Sequence, residues 1–196
     1  MIYEKYKDRG DVHWQYYENN DGYLKWTNWI ISLFKNDLDD NCSLLDIGCG
    51  DGLWSSLIKR DLKYNVVGID VSEYGLEIAR KKDSKCIFHN VGTSFVASYG
   101  IMDFHFDYCL ATEVIEHIDN PEDIRKIFDN YVGKYMILTT IDVDHSKHLG
   151  SKYHVKEFTE SEIRKMFIGH KIERLYNNDL RGEFNASATM VLKISK

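Results

Sequence analysis

The stretch Leu44-Leu45-Asp46-Ile47-Gly48-Cys49-Gly50-Asp51-Gly52 constrains this chain more than any other, because an apolar run ends in an acid and gives way to three glycines on alternate positions. Leu44, Leu45 and Ile47 read as a short strand buried on both faces, and the glycines mark a sharp turn. Glycine tolerates positive φ and puts no Cβ in a ligand's way. From Leu53 the apolar spacing becomes helical, with Leu53, Trp54, Leu57 and Ile58 on one side. The loop therefore delivers a helix N-terminus to the carboxyl edge of a parallel sheet, where open α/β sheets bind ligands. Leu53 stands where the dinucleotide fingerprint needs its third glycine, and no Gly-Lys-Ser/Thr follows. A pyrophosphate or triphosphate is thus disfavoured beside Asp46, and a cationic nucleoside fits better.

With 196 residues, 43% hydrophobic and 13% aromatic, the chain is expected to fold as one domain over residues 1–196. No apolar run approaches the roughly 18 to 20 residues that cross a bilayer, and the charged start Met1-Ile2-Tyr3-Glu4-Lys5 is no signal peptide. A cytoplasmic protein with no membrane partner is the expectation. Cys42, Cys49, Cys86 and Cys109 are scattered without a C-x-x-C pair, so neither a disulfide nor a zinc site is assigned. A net charge of −6, with basic residues mixed among acids, argues against nucleic acid as a partner. The run Arg80-Lys81-Lys82 falls at a predicted helix C-terminus, where the macrodipole favours cations.

Along the chain, residues 1–20 are polar and aromatic without a clean period and read as a loosely structured arm. A helix from Gly22 places Leu24, Trp29, Ile30, Leu33 and Phe34 on an apolar stripe. A helix over 51–61, a strand over 65–70 and a helix capped by Ser72 and running to Lys82 follow, then a strand Cys86 to Asn90. Residues 91–105 carry no strong helical signal. Asn120-Pro121-Glu122-Asp123 reads as N-cap, first helical proline and acidic first turn of a helix to about Asn130. A strand Lys134 to Ile141 precedes a loop with Asp142, Asp144, His145 and His148, the two histidines being outside candidates for a general base. Thr159-x-x-Glu162 is a capping box opening a helix that ends near Gly169, and Lys171 to Asn177 with Phe184 to Ile194 close the chain as an antiparallel hairpin.

Leu44 to Gly52 matches hydrophobic-hydrophobic-Asp/Glu-x-Gly-x-Gly-x-Gly at every defined position, Val66 to Ser72 gives a second strand ending in Asp70, and Phe106 to His117 gives a fourth strand and its exit. In these three motifs the chain resembles the class I S-adenosylmethionine-dependent methyltransferases. That resemblance implies an α/β Rossmann-like, doubly wound seven-stranded sheet, mostly parallel, with an antiparallel C-terminal strand. It implies S-adenosylmethionine as cofactor, held by Asp46, Gly48, Cys49, Gly50 and Gly52, with Asp70 on the ribose hydroxyls, Val71 beside it, Asn90 toward the adenine, and Thr112. In that family an N-terminal arm often folds over the cofactor, which would give Trp14 a contact.

Methyl transfer from a sulfonium needs chiefly alignment, and a hydroxyl nucleophile also needs its proton removed or its pKa lowered. Glu113, Glu116 and His117 stand at i, i+3 and i+4, a spacing that shares one face of a helix, and His154 offers a fourth ligand. Two carboxylates and two imidazoles suit Mg or Mn with positions left open for substrate. The set resembles that of metal-dependent small-RNA 2′-O-methyltransferases, and the Glu-x-x-Glu-His run is also similar to that of ubiquinone-type and sugar O-methyltransferases. Pro121 is the only proline, so the Phe-x-Pro-Pro-Leu segment of the RNA enzymes is missing. RNA is therefore demoted, and the expected acceptor is a sugar or glycan hydroxyl, or else a quinone or phenol precursor. A non-catalytic cofactor-binding module is the alternative from another class.

Overall fold

The apolar run before the glycine loop is strand β1 (Ser43–Ile47), in which Leu44, Leu45, Asp46 and Ile47 are all fully buried. The computed structural model describes residues 5–35, 41–83, 85–100, 105–144, 153–175 and 189–196. They form two compact units, Met1–Gly92 and Thr93–Lys196.

The first unit begins with α1 (Lys5–Arg9), α2 (Val12–Asn19) and α3 (Asp21–Ser32). From Lys5 onward the N-terminal arm is thus largely helical rather than loosely structured. Helices of five and eight residues are too short to hold themselves in water, and burial of Tyr6 and Val12 supplies the anchorage that periodicity did not reveal. Asn20 caps α3 by accepting the Tyr23 N–H at 2.9 Å. The buried face of α3 is Tyr23, Trp26, Thr27, Ile30 and Ile31, whereas Leu24, Trp29 and Leu33 are only half-buried. The stripe is rotated because Thr27 satisfies its hydroxyl on the Tyr23 carbonyl at 2.8 Å and can therefore go inside.

Strand β1 pairs in parallel with β2 (Asn65–Asp70), and β2 with β3 (Ile87–Asn90), the last pair being Asp70 with Asn90. Between them lie α4 (Leu53–Leu62), which buries Leu53, Trp54, Leu57 and Ile58 as its spacing predicts, and α5 (Glu73–Lys82), capped by Ser72.

The second unit opens with α6 (Thr93–Tyr99), a short helix where the sequence carried little helical signal, pinned by the fully buried Val96. Strand β4 (Phe106–Thr112) leads through a single 3₁₀ turn, Ile115–His117, to α7 (Glu122–Tyr131). Pro121 rather than Asn120 is the cap of α7. Asn120 instead accepts the Asp123 N–H on its carbonyl at 3.1 Å and donates its side-chain amide to the Asp123 carboxylate at 2.9 Å. Strand β5 (Val132–Ile141) starts directly after α7, two residues ahead of expectation. Then come α8 (Glu160–Met166), with the Thr159–Glu162 capping box complete, β6 (Lys171–Leu175) and β7 (Thr189–Ser195). The predicted start of the last strand at Phe184 lies outside the described residues.

Strand β5 is parallel to β4, while β7 runs antiparallel to both β5 and β6. The seven strands are ordered β3-β2-β1-β4-β5-β7-β6, the mostly parallel Rossmann-like arrangement with an antiparallel C-terminal strand. All four cysteines are free and buried, and among the described residues no helix is long and apolar enough to cross a membrane.

Candidate functional site

In the first unit the site begins where β1 ends. Gly48, Gly50 and Gly52 all have positive φ (69°, 53° and 77°), so the chain turns through conformations that side chains rarely adopt. At Gly50 space is decisive as well, because a Cβ there would stand 1.8 Å from the Tyr6 hydroxyl. Gly52 caps α4, and a Cβ on it would meet that of Ala79 at 2.5 Å. The Asp70 carboxylate braces the bend by accepting the Gly50 N–H at 2.9 Å and the Ser72 N–H at 2.7 Å. Burial pushes the Asp70 carboxyl upward, and those two N–H groups oppose the shift.

Asp46 is the other acid of the loop. Its Oδ2 accepts the Ser55 hydroxyl at 2.6 Å, while its buried Oδ1 has no hydrogen-bond partner. Burial, opposed by Ser55, pushes its carboxyl up to about 7. Cys49 is buried beside it, and burial with the Asp46 charge drives its thiol far upward, leaving a neutral, inert group. An unsatisfied buried carboxylate oxygen and a braced acid on a loop bare of side chains fit a nucleoside bearing a positive centre.

The Asp46 carboxyl makes stability depend on pH. Its folded pKa lies above its unfolded value, so its contribution is fully present below pH 4 and is lost as pH rises through about 7. Urea unfolding of the ligand-free protein is expected to show this fall in stability, and Asp46→Asn to flatten it. An identical pH profile in the variant would contradict the assignment.

In the second unit, Thr112 ends β4 opposite Thr139. Glu113 follows with φ 49°, a strained conformation for a residue with a side chain and one that tends to occur at functional sites. Its N–H donates to the Thr139 carbonyl at 3.0 Å, and its carboxylate accepts the Thr139 hydroxyl at 2.9 Å. The chain then enters the 3₁₀ turn, so the expected single α-helical face is not what arranges these residues. Glu116, His117 and His154 nevertheless converge, with one ligand atom from each lying within 4.8 Å of the others. Glu113 is not in that group.

The three are held by groups behind them. Thr140 donates its hydroxyl to Glu116 Oε2 at 3.0 Å, and the Val155 N–H donates to the Glu116 carbonyl at 2.7 Å, tying the His154 segment to the turn. His117 Nδ1 lies 2.9 Å from the Tyr153 carbonyl, and His154 Nδ1 lies 2.9 Å from the Glu157 carboxylate. Each Nδ1 therefore donates its proton to that oxygen, which fixes the orientation of both rings. Glu116 Oε1 is buried without a hydrogen-bond partner, and burial together with the Glu113 charge pushes this carboxyl well above the ordinary range. A carboxylate oxygen awaiting a positive partner beside two oriented imidazoles is a donor set that fits a divalent cation.

A family model described as a methyltransferase domain matches residues 14–178. The chain belongs to this family. Among curated relatives, the ubiquinone biosynthesis O-methyltransferase of Pelagibacter ubique is 37% identical over 98 residues, covering 46% of this chain and 39% of the relative. The mitochondrial ubiquinone biosynthesis O-methyltransferase of Schizosaccharomyces pombe is 27% identical over 150 residues, covering 72% of this chain and 52% of the relative. The chain thus spans about two fifths to one half of the length of these relatives. Magnesium protoporphyrin IX methyltransferase from Synechocystis PCC 6803 with bound SAH shares the fold, with a TM-score of 0.70, 14% identity and coverage of 98% and 96% of the two chains.

In this methyltransferase domain the remaining sequence candidates are placed as follows. Asn90 closes β3 beside Asp70 and donates its amide to the Asp70 carbonyl at 3.2 Å, and Val71, next in the chain, is 61% exposed. Trp14 donates its indole N–H to the Asp51 carbonyl at 2.9 Å, so its polar atom serves the loop backbone. Asp142 pairs with Arg174. His145 and His148 lie outside the described residues.

Sequence reasoning missed four groups. His13 donates its backbone N–H to Asp51 Oδ2 at 2.9 Å and its ring nitrogen lies 3.1 Å from Oδ1, so the arm is pinned to the loop, with Tyr6 packed on Gly50. Thr140 and Glu157 orient the second cluster. Glu157 alone had a legible signal, since it stands three residues after His154.

Proposed function

We propose that this methyltransferase domain transfers a methyl group from S-adenosylmethionine to a hydroxyl oxygen of a small acceptor, in a reaction assisted by a divalent metal. The observation that carries the reading is the grouping of Glu116, His117 and His154, each imidazole already oriented by its Nδ1 partner. The acceptor class favoured is a phenol with neighbouring hydroxyls, because the curated relatives are named for ubiquinone biosynthesis. A sugar hydroxyl is the second reading, since its vicinal diol would present the same pair of oxygens.

Asp70 orients the nucleoside by accepting from its ribose, the glycine loop admits it without steric obstruction, and Asp46 supplies negative charge near its positive centre. S-adenosylmethionine, when bound, supplies an already activated methyl electrophile, so the chain's task is largely alignment. Glu116, His117 and His154 would hold Mg or Mn, with Glu113 a neighbouring carboxylate, and the ion would act as a Lewis acid that lowers the pKa of the acceptor hydroxyl. Glu157 and the Tyr153 carbonyl hold the two imidazoles in place through their Nδ1 atoms. The chain's location in the cytoplasm is part of the same proposal.

The test is turnover, read as S-adenosylhomocysteine formed with catechol and sugar acceptors. Activity with a catechol is expected, with chelator abolishing turnover while cofactor affinity stays within twofold. Full activity in excess chelator removes the metal from the proposal. Cofactor binding without product from any acceptor leaves a binding module.

A further inference from the structure

We propose that the first unit carries a second binding site, for a nucleoside polyphosphate, in a concavity of about 530 Å³ between Trp14 and the C-terminal ends of α4 and α5. Its cations come from two separated stretches, Lys59, Arg60 and Lys63 at the end of α4 and Lys81, Lys82 and Lys85 at the end of α5, with Asp83 the one carboxylate in the lining. In a chain of net charge −6 this is a local reversal of sign. The helix macrodipole accounts for cations at either helix end. It does not account for two such ends meeting at one cavity with an indole in its wall.

The cations are positioned from outside the cavity. Asp61 holds Arg60 at 2.6 Å and Asp11 holds Lys82 at 2.9 Å, and neither acid is in the lining. Lys63 donates to the Arg60 carbonyl at 2.7 Å, a neutral partner, and the Asp61 carboxylate acts on its charge only through space. Lys81 and Lys85 form no ion pair among the described residues. Trp14 is fixed in the wall by its indole bond to the Asp51 carbonyl, with Lys82 Nζ 5.1 Å from the ring centroid. Uncommitted ammonium groups select phosphate oxygens, and an immobilised indole offers a flat ring something to stack on. The volume lies in the small-ligand range of about 300–1,000 Å³, which suits a nucleotide.

Calorimetry on the full chain tests this with ATP, inorganic tripolyphosphate and a single-stranded oligonucleotide, each with and without saturating S-adenosylhomocysteine. ATP is expected to bind in both conditions and more tightly than tripolyphosphate. Lys81→Glu combined with Lys85→Glu is expected to weaken ATP at least tenfold, while S-adenosylhomocysteine affinity stays within twofold. Asp70→Asn should leave ATP binding unchanged. Displacement of ATP by S-adenosylhomocysteine, or its loss in Asp70→Asn but not in the lysine variant, would place ATP in the glycine-loop cradle and overturn the proposal. So would tripolyphosphate binding as tightly as ATP, tighter binding of the oligonucleotide, or no ATP binding at millimolar concentration. If the chain has no affinity for S-adenosylhomocysteine, the cofactor reading fails, and the lysine variant still decides this one.

Discussion

Glu116→Gln is expected to lower turnover about 100-fold while S-adenosylhomocysteine affinity changes less than twofold. The substitution keeps the shape of the side chain and leaves an oxygen for the Thr140 hydroxyl, now 3.0 Å from Glu116 Oε2. It replaces with an amide nitrogen the carboxyl oxygen, Oε1, that has no hydrogen-bond partner in its buried position and that would become anionic on taking up a cation. Because burial and the Glu113 charge already favour the neutral form of this carboxyl, a neutral amide of the same shape should leave stability close to that of the parent. Lost turnover with an unchanged melting temperature therefore separates a chemical role from a folding one. Unchanged turnover would sink the assignment of this cluster to the reaction.

The framework of this domain is local in its encoding, which is why so much of it is legible. The alternation of apolar residues and glycines from Leu44 to Gly52 needs only its own sequence to specify strand, bend and helix, and Ser72 and the Thr159–Glu162 box announce their helices through nearest neighbours. Asp70 is readable for the same reason, since a strand end fixes where its side chain emerges. The arm is different. Tyr6 and His13 find their partners at Gly50 and Asp51, about forty positions away, and no period within residues 5–19 records that pairing.

The second cluster was legible in its members and less so in its geometry. A five-residue spacing names Glu113, Glu116 and His117, but whether they share a helical face depends on the backbone after β4. The left-handed Glu113 and the 3₁₀ turn redirect that backbone, and the grouping becomes Glu116, His117 and His154. Thr140 joins from β5, a strand residue whose role only the fold reveals. The basic concavity makes the same point. Lys59 to Lys63 does not stand out as a run, Arg80-Lys81-Lys82 reads only as a helix end, and the packing of α4 beside α5 brings the two stretches into one lining.

Asp70→Asn should cost cofactor affinity heavily, with no effect that depends on the acceptor. The carboxylate accepts two backbone N–H groups, from Gly50 at 2.9 Å and Ser72 at 2.7 Å, and still has lone pairs for a ribose. An asparagine offers one oxygen. Its amide nitrogen must then face one of those N–H donors, which loosens the loop, and the ribose loses a charged acceptor. Hydrogen bonds to charged groups are worth about 1.5–3 kcal/mol each, so losing one such interaction predicts roughly a 10- to 150-fold rise in the dissociation constant for S-adenosylhomocysteine. Calorimetry on Asp70→Asn and Glu116→Gln side by side gives opposite patterns, the first losing binding and keeping the acceptor-side cluster, the second the reverse. Parent-like affinity in Asp70→Asn would mean that the acid after β2 braces the bend without touching the nucleoside.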